Sequence, residues 1–456
     1  MADGSLARLD ALAATAQALI ERCRAQGASQ AEVACSEDRG LNVNVRMGAV
    51  ETVESTRDRG IAVTVYFGQR KGSASTADLR EESLDATVAQ ACAIARHTEH
   101  DVAAGLADGE LMAQLPASGQ FPEFDGWHPW TLDADRAIDL ALACETAGRE
   151  ADSRIENSDG ASIGSGDSLS VYANSHGFVG RERSTQHSIG CALIAGRGDS
   201  MQRDGWYSIA LAESDLESPL VIGRHAAQRT VSRLQPRQLA TGTYQVLFAA
   251  EVARSLIGHL LGAVSGGALY RGASFLVDSA GKQLFPDWFE IHERPFLPRG
   301  FRSAAFDAEG VATRESPLVV GGVLQRYVLG SYSARKLGLA TTANAGGVHN
   351  LEIVASNGAG QAGDLDDLLR GMDSGLVVTE LMGQGVNTVT GDYSRGAAGF
   401  WVQDGAIAYP VDGITIAGNL KAMFAGIQAI GSDVDLRSHI HTGSILVGSM
   451  TVAGTV

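Results

Sequence analysis

Cysteine is scarce in this 456-residue sequence, and the second half contains none. The five cysteines are scattered singly and form no CxxC motif; they are Cys23, Cys35, Cys92, Cys144 and Cys191. An odd, scattered set indicates the reduced thiols of a cytosolic protein and argues against a disulfide framework. Because no cysteine follows Cys191, a thiolate metal ligand is excluded from the second half.

Long apolar runs and an excess of basic residues are missing as well. No stretch approaches the roughly 18 apolar residues of a membrane helix, and the N-terminal MADGSLARLD lacks the basic head and apolar run of a secretory signal. The sequence therefore predicts a cytoplasmic protein without a membrane span. A net charge of −17 argues against binding to a phosphate backbone, so no nucleic-acid partner is expected.

What is present is the composition of a globular protein, with 45% hydrophobic and 20% charged residues. A chain of this length exceeds one ordinary core, which favours two domains. The polar, proline-containing segment QPRQLATG at 235–242 is the best boundary. We therefore expect an N-terminal domain over residues 1–238 and a C-terminal domain over 239–456.

Local patterns predict an α+β fold, because helices stand beside antiparallel strands without regular βαβ alternation. Apolar residues at helical spacing over 6–25 predict an opening helix, and short alternating strands with glycine turns follow it. These features indicate an N-terminal antiparallel sheet with helices. The second half is glycine-rich and β-dominated, with a predicted hairpin at Asp404–Gly405 and an amphipathic helix over 419–430.

The segment Met382–Val402 is the most informative part of the sequence. It is rich in glycine and has almost no hydrophobic periodicity before Phe400. Such a density of glycine predicts backbone at positive φ or in close approach to another surface. Tyr393, Ser394 and Arg395 stand in its middle, and we expect them on a glycine-tethered loop that forms a site or an interface.

This segment also carries a family resemblance. GDYSRGAAGFWV at 391–402 resembles the TldE/PmbA branch of the TldD/PmbA family, bacterial proteins once called modulators of DNA gyrase. Similar motifs recur along the second half, at residues 260–288, 330–339, 345–350, 375–387 and 414–424. The first half matches more loosely, and the resemblance covers essentially the whole chain. It implies a TldD/PmbA-type C-terminal domain in a subunit of a cytosolic zinc peptidase complex, which cleaves unfolded peptides in peptide maturation and antitoxin degradation.

For the TldD branch, the resemblance implies a zinc site made of His-Glu-x-x-x-His on a helix and a cysteine near the C-terminus. The aligned residues here are Arg254, Ser255 and His259. A guanidinium cannot ligate zinc, a serine hydroxyl has no useful basicity without a partner, and the cysteine is absent. We therefore expect no catalytic residue, metal or cofactor in this chain, and zinc in a TldD-like partner subunit.

Two alternatives stay open at this point. His439 and His441 have the spacing of ligands on one strand face, so with His259 they could form the rebuilt site of an active metallohydrolase. The chain could instead be a binding scaffold without peptidase activity. A heterodimer with the TldD-like subunit is the leading arrangement, and a homodimer is the arrangement considered for the isolated chain.

Several polar residues are candidates for contact with peptide or partner. His349 and Asn350 follow paired glycines that would let another backbone approach, so they could line a peptide channel or form a tight turn. The remaining candidates could face either the unfolded peptide or the partner subunit; they are Gln384, Asn387, Tyr393, Ser394 and Arg395.

Overall fold

The computed structural model of the protein describes residues 4–454. The described part of the first half contains the α-helices α1 Ser5–Ala25, α2 Glu81–His97, α3 Ala134–Arg149 and α4 Pro219–Ser232. Its strands are β1 Gln30–Arg46, β2 Ala49–Phe67, β3 Arg70–Thr76, β4 Ile155–Asn174, β5 Val179–Ala195 and β6 Gln202–Ala210. These strands form one antiparallel sheet in the order β3-β2-β1-β4-β5-β6.

All four helices cover the same face of this sheet. Val33 and Cys35 of β1 pack with α1 and α2, while Val43 and Val45 of the same strand pack with α3 and α4. Because side chains alternate along a strand, these odd-numbered residues share one face and the even-numbered residues share the other. We call the face without helices the open face.

The second half contains the α-helices α5 Ala250–Ala263, α6 Gly266–Tyr270, α7 Ser331–Leu337, α8 Leu365–Met372 and α9 Leu420–Ala425. Its described strands begin with β7 Gly242–Phe248, β8 Phe289–Arg294, β9 Ser316–Val320, β10 Val323–Leu324, β11 Asn350–Ala355 and β12 Gly375–Met382. The later ones are β13 Asp392–Gln403, β14 Ala406–Asn419, β15 Ile427–Ile430, β16 Ile440–His441 and β17 Ile445–Ala453.

These strands form two further sheets, with the orders β14-β13-β12-β7-β17-β15 and β10-β9-β8-β11-β16. Helix α5 follows the central strand β7 and packs into the main core of the second half. Its buried stripe is Ala253, Leu256, Ile257 and Leu260, the spacing of one helical face. The expected zinc motif lies on this same helix, beside the buried stripe.

The predicted α+β class is confirmed by these sheets and helices. The opening helix is confirmed as α1, and the hairpin at Asp404–Gly405 is confirmed by positive φ angles of 53° and 72°. The first strands are longer than expected, with 17 residues in β1 and 19 in β2. The helix predicted over 419–430 is wrong in its second half, because Ile427 and Ile430 pair with β17 as part of β15.

The expected loop position of Tyr393, Ser394 and Arg395 is also wrong. All three lie in β13 and pair with β14, while the preceding residues 383–391 form the loop. This loop folds back onto the strand, and a Cβ atom on Gly385 would lie 1.9 Å from the backbone oxygen of Ser394. Glycine is needed there for close backbone approach, as its density predicted, but the polar residues belong to the strand.

The division into residues 1–238 and 239–456 stays a prediction. The segment 235–242 connects α4 with the first residue of β7, and its Leu239 is buried in the core of the second half. Within residues 4–454, no helix combines the length and the apolar character that crossing a membrane requires.

Candidate functional site

The first position of the expected zinc motif is occupied by Arg254, whose guanidinium makes a hydrogen bond. Arg254 on α5 donates from Nη2 to the hydroxyl oxygen of Tyr207 on β6, over 3.0 Å. The guanidinium of Arg437 stacks on the same tyrosine ring, 4.6 Å from its centroid. Arg437 is in turn ion-paired with Asp435 at 3.0 Å. Arg254 therefore connects α5 with the first-half sheet, where the family's motif would place an imidazole.

The carboxylates around Arg254 are neutralised by other arginines. Glu251 is paired with Arg229 at 2.7 Å. Burial would raise the pKa of Asp435, but hydrogen bonds from Arg437 and the charges of Arg437 and Arg254 lower it overall. These carboxylates are thus committed to ion pairs, and the pair between Arg229 and Glu251 joins α4 to α5.

The other two motif positions carry polar atoms without partners. Ser255 Oγ and His259 Nε2 are buried and have no hydrogen bond within the described chain, and neither does the hydroxyl of Tyr393. The rings of His259 and Tyr393 meet edge to face, with centroids 5.8 Å apart. Burial, and secondarily the charge of Arg395, lowers the pKa of His259. Burial raises the pKa of Tyr393 to about 12, so both rings are neutral at pH 7.

The three histidines of the alternative site do not form a ligand set. Burial and the charges of Arg302, His441 and Arg254 lower the pKa of His439 to about 4. Within residues 4–454, no group of three or more His, Cys, Asp or Glu side chains is placed to hold a metal ion. Because zinc prefers three or four such ligands, the residues of this chain do not fit the metal that the family resemblance implies.

His349 lies at the wall of a cavity, held by a buried ionic network. Its backbone nitrogen donates to Glu293 Oε1 at 2.7 Å, and its Nδ1 lies 2.9 Å from the same oxygen. Glu293 also accepts a hydrogen bond from Asn344 at 2.8 Å and is paired with Arg326. Burial would raise the pKa of Glu293, but the hydrogen bonds from His349 and the charge of Arg326 lower it overall. Glu293 therefore fixes the position of His349.

Asn350 is fully buried and its amide is satisfied by its neighbours. It donates to the backbone oxygen of Arg294 at 3.0 Å and to Ser303 Oγ at 2.8 Å, and it accepts from the backbone nitrogen of Arg302 at 3.0 Å. These bonds attach the turn at 300–303 to β8 and β11. The hydrogen bonds of the Asn350 side-chain amide therefore stabilise the cavity wall next to His349.

The candidate peptide or partner contacts around the glycine-rich loop lie apart from the cavity that His349 lines. Gln384, Asn387 and Ser394 are exposed, and Arg395 is half-buried near His259. The side chain of Asn387 accepts a hydrogen bond from the backbone nitrogen of Val389, which fixes the loop turn. Among the described residues that line the cavity, none belongs to this loop.

The cavity has a volume of about 950 Å³ and lies between the open face and the second-half segments 300–308 and 345–349. His349 and Arg302 line it from the second half, and Glu182 lines it from β5. Sequence reasoning missed both Arg302 and Glu182. Glu182 stands between Arg181 and Arg183, and three charged residues in a row on a strand indicate a solvent-exposed face. The neighbouring sequence does not show that a segment of the second half covers Glu182.

Three family models match the chain in succession. Domain 1 of the PmbA/TldA metallopeptidases matches residues 31–95, their central domain matches 127–234, and their C-terminal domain matches 241–454. The chain belongs to the PmbA/TldA metallopeptidase family. This confirms the family resemblance that the glycine-rich motifs indicated.

Members of the PmbA/TldA family with curated names are similar over most of their length. "Metalloprotease PmbA" of Escherichia coli O157:H7 is 48% identical over 424 residues, which are 93% of this chain and 92% of that protein. A "Metalloprotease PmbA homolog" of Haemophilus influenzae is 46% identical over 435 residues, covering 95% and 94%. These homologues are thus named as metalloproteases.

Solved structures of the PmbA/TldA type share the fold. A Bacteroides thetaiotaomicron protein named as a modulator of DNA gyrase superposes with a TM-score of 0.89 at 26% identity, covering 97% of this chain and 98% of that one. TldE from Thermococcus kodakarensis has a TM-score of 0.82 at 19% identity, covering 96% and 100%. The second likeness shows the fold alone.

Proposed function

We propose that this chain is a noncatalytic, cytoplasmic subunit of a two-chain zinc peptidase, and that a TldD-type partner carries the zinc. The observation that most supports this is the hydrogen bond from Arg254 to Tyr207 at the first position of the aligned zinc motif. A permanently cationic guanidinium repels a metal cation, and here it also connects two parts of the structure. Restoring a ligand at that position would therefore break a structural contact.

The names of the relatives support the pairing. One neighbouring structure is named TldE, and other relatives are named TldD homologs, including a "Zinc metalloprotease TldD homolog" of Saccharolobus solfataricus at 25% identity. In the proposed complex, the exposed residues Gln384, Asn387 and Ser394 contact the partner or the peptide. All five cysteines are buried and free, which supports a reducing compartment.

Unfolded peptides are the proposed substrates. An extended peptide binds by lying along strands and exposing its backbone, which tolerates many sequences. This chain would bind and orient the peptide, and the proposed partner would supply a metal-bound water as the nucleophile when its zinc is bound. The described residues of this chain take no part in the bond cleavage.

The test compares peptide cleavage by this chain alone, by its TldD-type partner alone and by the mixture. We expect cleavage of an unfolded peptide only in the mixture, and its loss on addition of a chelator. Cleavage by the isolated chain would favour an active hydrolase. Failure of the two chains to associate would favour a separate binding scaffold, and a homodimer of the isolated chain would be compatible with exchange into the mixed complex.

A variant of the degenerate motif serves as the matched control. Arg254→His combined with Ser255→Glu restores two residues of the motif, yet the cysteine ligand is still missing. We expect this double variant to remain inactive on its own. Zinc-dependent cleavage by it would show that the ligand set lies elsewhere.

A further inference from the structure

The floor of the cavity is a row of small side chains that ends in a carboxyl group. Gly60, Ser36, Ser170 and Glu182 stand directly opposite one another on the neighbouring strands β2, β1, β4 and β5. Residues in register across antiparallel strands project to the same side, here the open face. The three small residues leave space above the sheet, and all four line the cavity.

Glu182 is not paired with an opposite charge among the described residues. Within the described chain it makes no hydrogen bond or ion pair, whereas its neighbours Arg181 and Arg183 project to the helix-covered face. There they are paired with Asp10 at 2.9 Å and Glu123 at 2.6 Å. Burial alone raises the pKa of Glu182 to about 7. The carboxyl group is thus partly withdrawn from water without compensation.

A second glutamate of the same sheet shows how such a charge is normally handled. Glu37 lies on the helix-covered face and contacts Arg8, Arg39 and Arg59 at 2.8 to 3.1 Å. Burial would raise its pKa, but the hydrogen bonds from Arg8 and Arg39 and the charge of Arg59 lower it to about 2. Carboxylates withdrawn from water are paired in most folded proteins, so the unpaired state of the half-buried Glu182 requires an explanation.

The other charged groups of the cavity do not supply that partner. The buried carboxyl of Asp307 accepts backbone hydrogen bonds, including one from Ala345 at 3.0 Å. The guanidinium of Arg302 donates to the carbonyl oxygens of Gly346 and Val348, at 3.5 and 3.4 Å.

The open face beside the cavity adds negative charge. Asp38 and Asp58 stand opposite each other on β1 and β2, both exposed, and form no ion pair within the described chain. Like charges in register destabilise a strand pair, so this arrangement favours a cation from outside the chain. They stand in the same row as Ser168 and Ser184, which line the cavity, and this row is next to the one that contains Glu182. The net charge of −17 would attract such a cation at long range.

We propose that the cavity binds a basic segment of an extended peptide, and that Glu182 receives its ammonium or guanidinium group. This deepens the proposed function, since it rests on a peptide substrate and names the class of peptide preferred. The row of small side chains leaves room for an extended backbone above the sheet. The incoming cation would complete the ion pair that Glu182 lacks within the described chain, and Arg302 at the far wall would donate hydrogen bonds to a carbonyl or carboxylate oxygen of the peptide.

The experiment titrates the isolated full-length chain with three unstructured hexapeptides by calorimetry. The peptides are identical except for a central pair of lysines, glutamines or glutamates. We expect the lysine peptide to bind about tenfold more tightly than the glutamine peptide, as one new ion pair allows. Glu182→Gln should abolish this preference. Glu54 lies on β2 opposite Asn42, on the open face but outside the residues that line the cavity, so Glu54→Gln should leave the preference intact.

Two binding results would contradict the proposed role of Glu182. An equal lysine preference in the Glu182→Gln variant, or tighter binding of the glutamate peptide, would overturn the proposal. Glutamine matches glutamate in shape and removes an uncompensated charge, so this variant is expected to fold. The binding experiment uses the isolated chain without a peptidase partner, so a lysine preference would remain valid even if the mixed complex proved inactive. If the mixed complex is active but the isolated chain shows no lysine preference, the proposed role of the cavity is refuted and the proposed subunit role is not.

Discussion

The expected zinc motif on α5 and the cavity on the open face differ in whether their charged side chains have partners. On α5, Arg254 is bonded to Tyr207 and the nearby carboxylates are paired with arginines. In the cavity, Glu182 is withdrawn from water and has no partner within the described chain. Charges that are satisfied internally stabilise a fold, whereas an uncompensated charge is typical of a binding site. At the aligned motif, Arg254 thus makes a structural contact, whereas the unpaired carboxyl group of Glu182 supports the binding role proposed for the cavity.

The largest effect is expected in the network that supports the cavity wall. Glu293→Ala removes the buried acceptor shared by His349, Asn344 and Arg326, and leaves the Arg326 charge uncompensated. We expect a loss of about 3–5 kcal/mol in the free energy of unfolding, measured by urea denaturation. Glu290→Ala on the same strand is the matched control.

The side chain of Glu290 contacts the half-buried His292, at 2.7 Å. Its removal should cost less than about 1 kcal/mol. Equal losses in the two variants would show that the wall does not depend on the Glu293 network.

The second largest effect is an increase in stability, expected for Glu182→Gln. The pKa of Glu182 rises from 4.5 to about 7 on folding, so the folded chain loses stability as pH rises between those values. Glu182→Gln cannot ionise and avoids this loss. We expect the variant to be more stable by roughly 3 kcal/mol at pH 8, and by little at pH 4. Thermal unfolding at both pH values checks this, and a destabilised variant at pH 8 would mean that Glu182 has an internal partner.

A pair of tyrosine variants gives the smallest effects. Tyr207→Phe removes the acceptor of Arg254 and should cost about 1–2 kcal/mol of stability. Tyr393→Phe removes a buried hydroxyl without a partner in the described chain and should change stability by less than about 1 kcal/mol. A larger loss for Tyr393→Phe in chemical denaturation would indicate that its hydroxyl is engaged, which would reopen the region around His259 as a site.

Local patterns predicted much of the fold. The spacing of leucines defined α1, and the Asp404–Gly405 turn defined the β13–β14 hairpin, because both depend on neighbours in sequence. The loop assigned to Tyr393 was wrong because glycines in a strand allow close backbone approach just as glycines in a loop do. Gly399 illustrates this, since a Cβ atom there would lie 1.9 Å from Val377 O on the paired strand.

The candidate site was predictable only where a motif existed. Arg254, Ser255 and His259 could be located by resemblance, but the contact of Arg254 with Tyr207 joins residues 47 positions apart. The row from Gly60 to Glu182 depends on the register of four strands and on a covering segment from the second half. Long-range register is set by the whole sheet, so single-strand patterns could not reveal an unpaired carboxyl there.

The zinc content of the isolated full-length chain is the most direct test of a subunit without its own metal site. The chain would be purified without chelators, equilibrated with excess zinc, dialysed and measured by elemental mass spectrometry. We predict no stoichiometric zinc. One zinc ion per chain, lost on substitution of His259, His439 or His441, would contradict that prediction and establish a metal site within this chain.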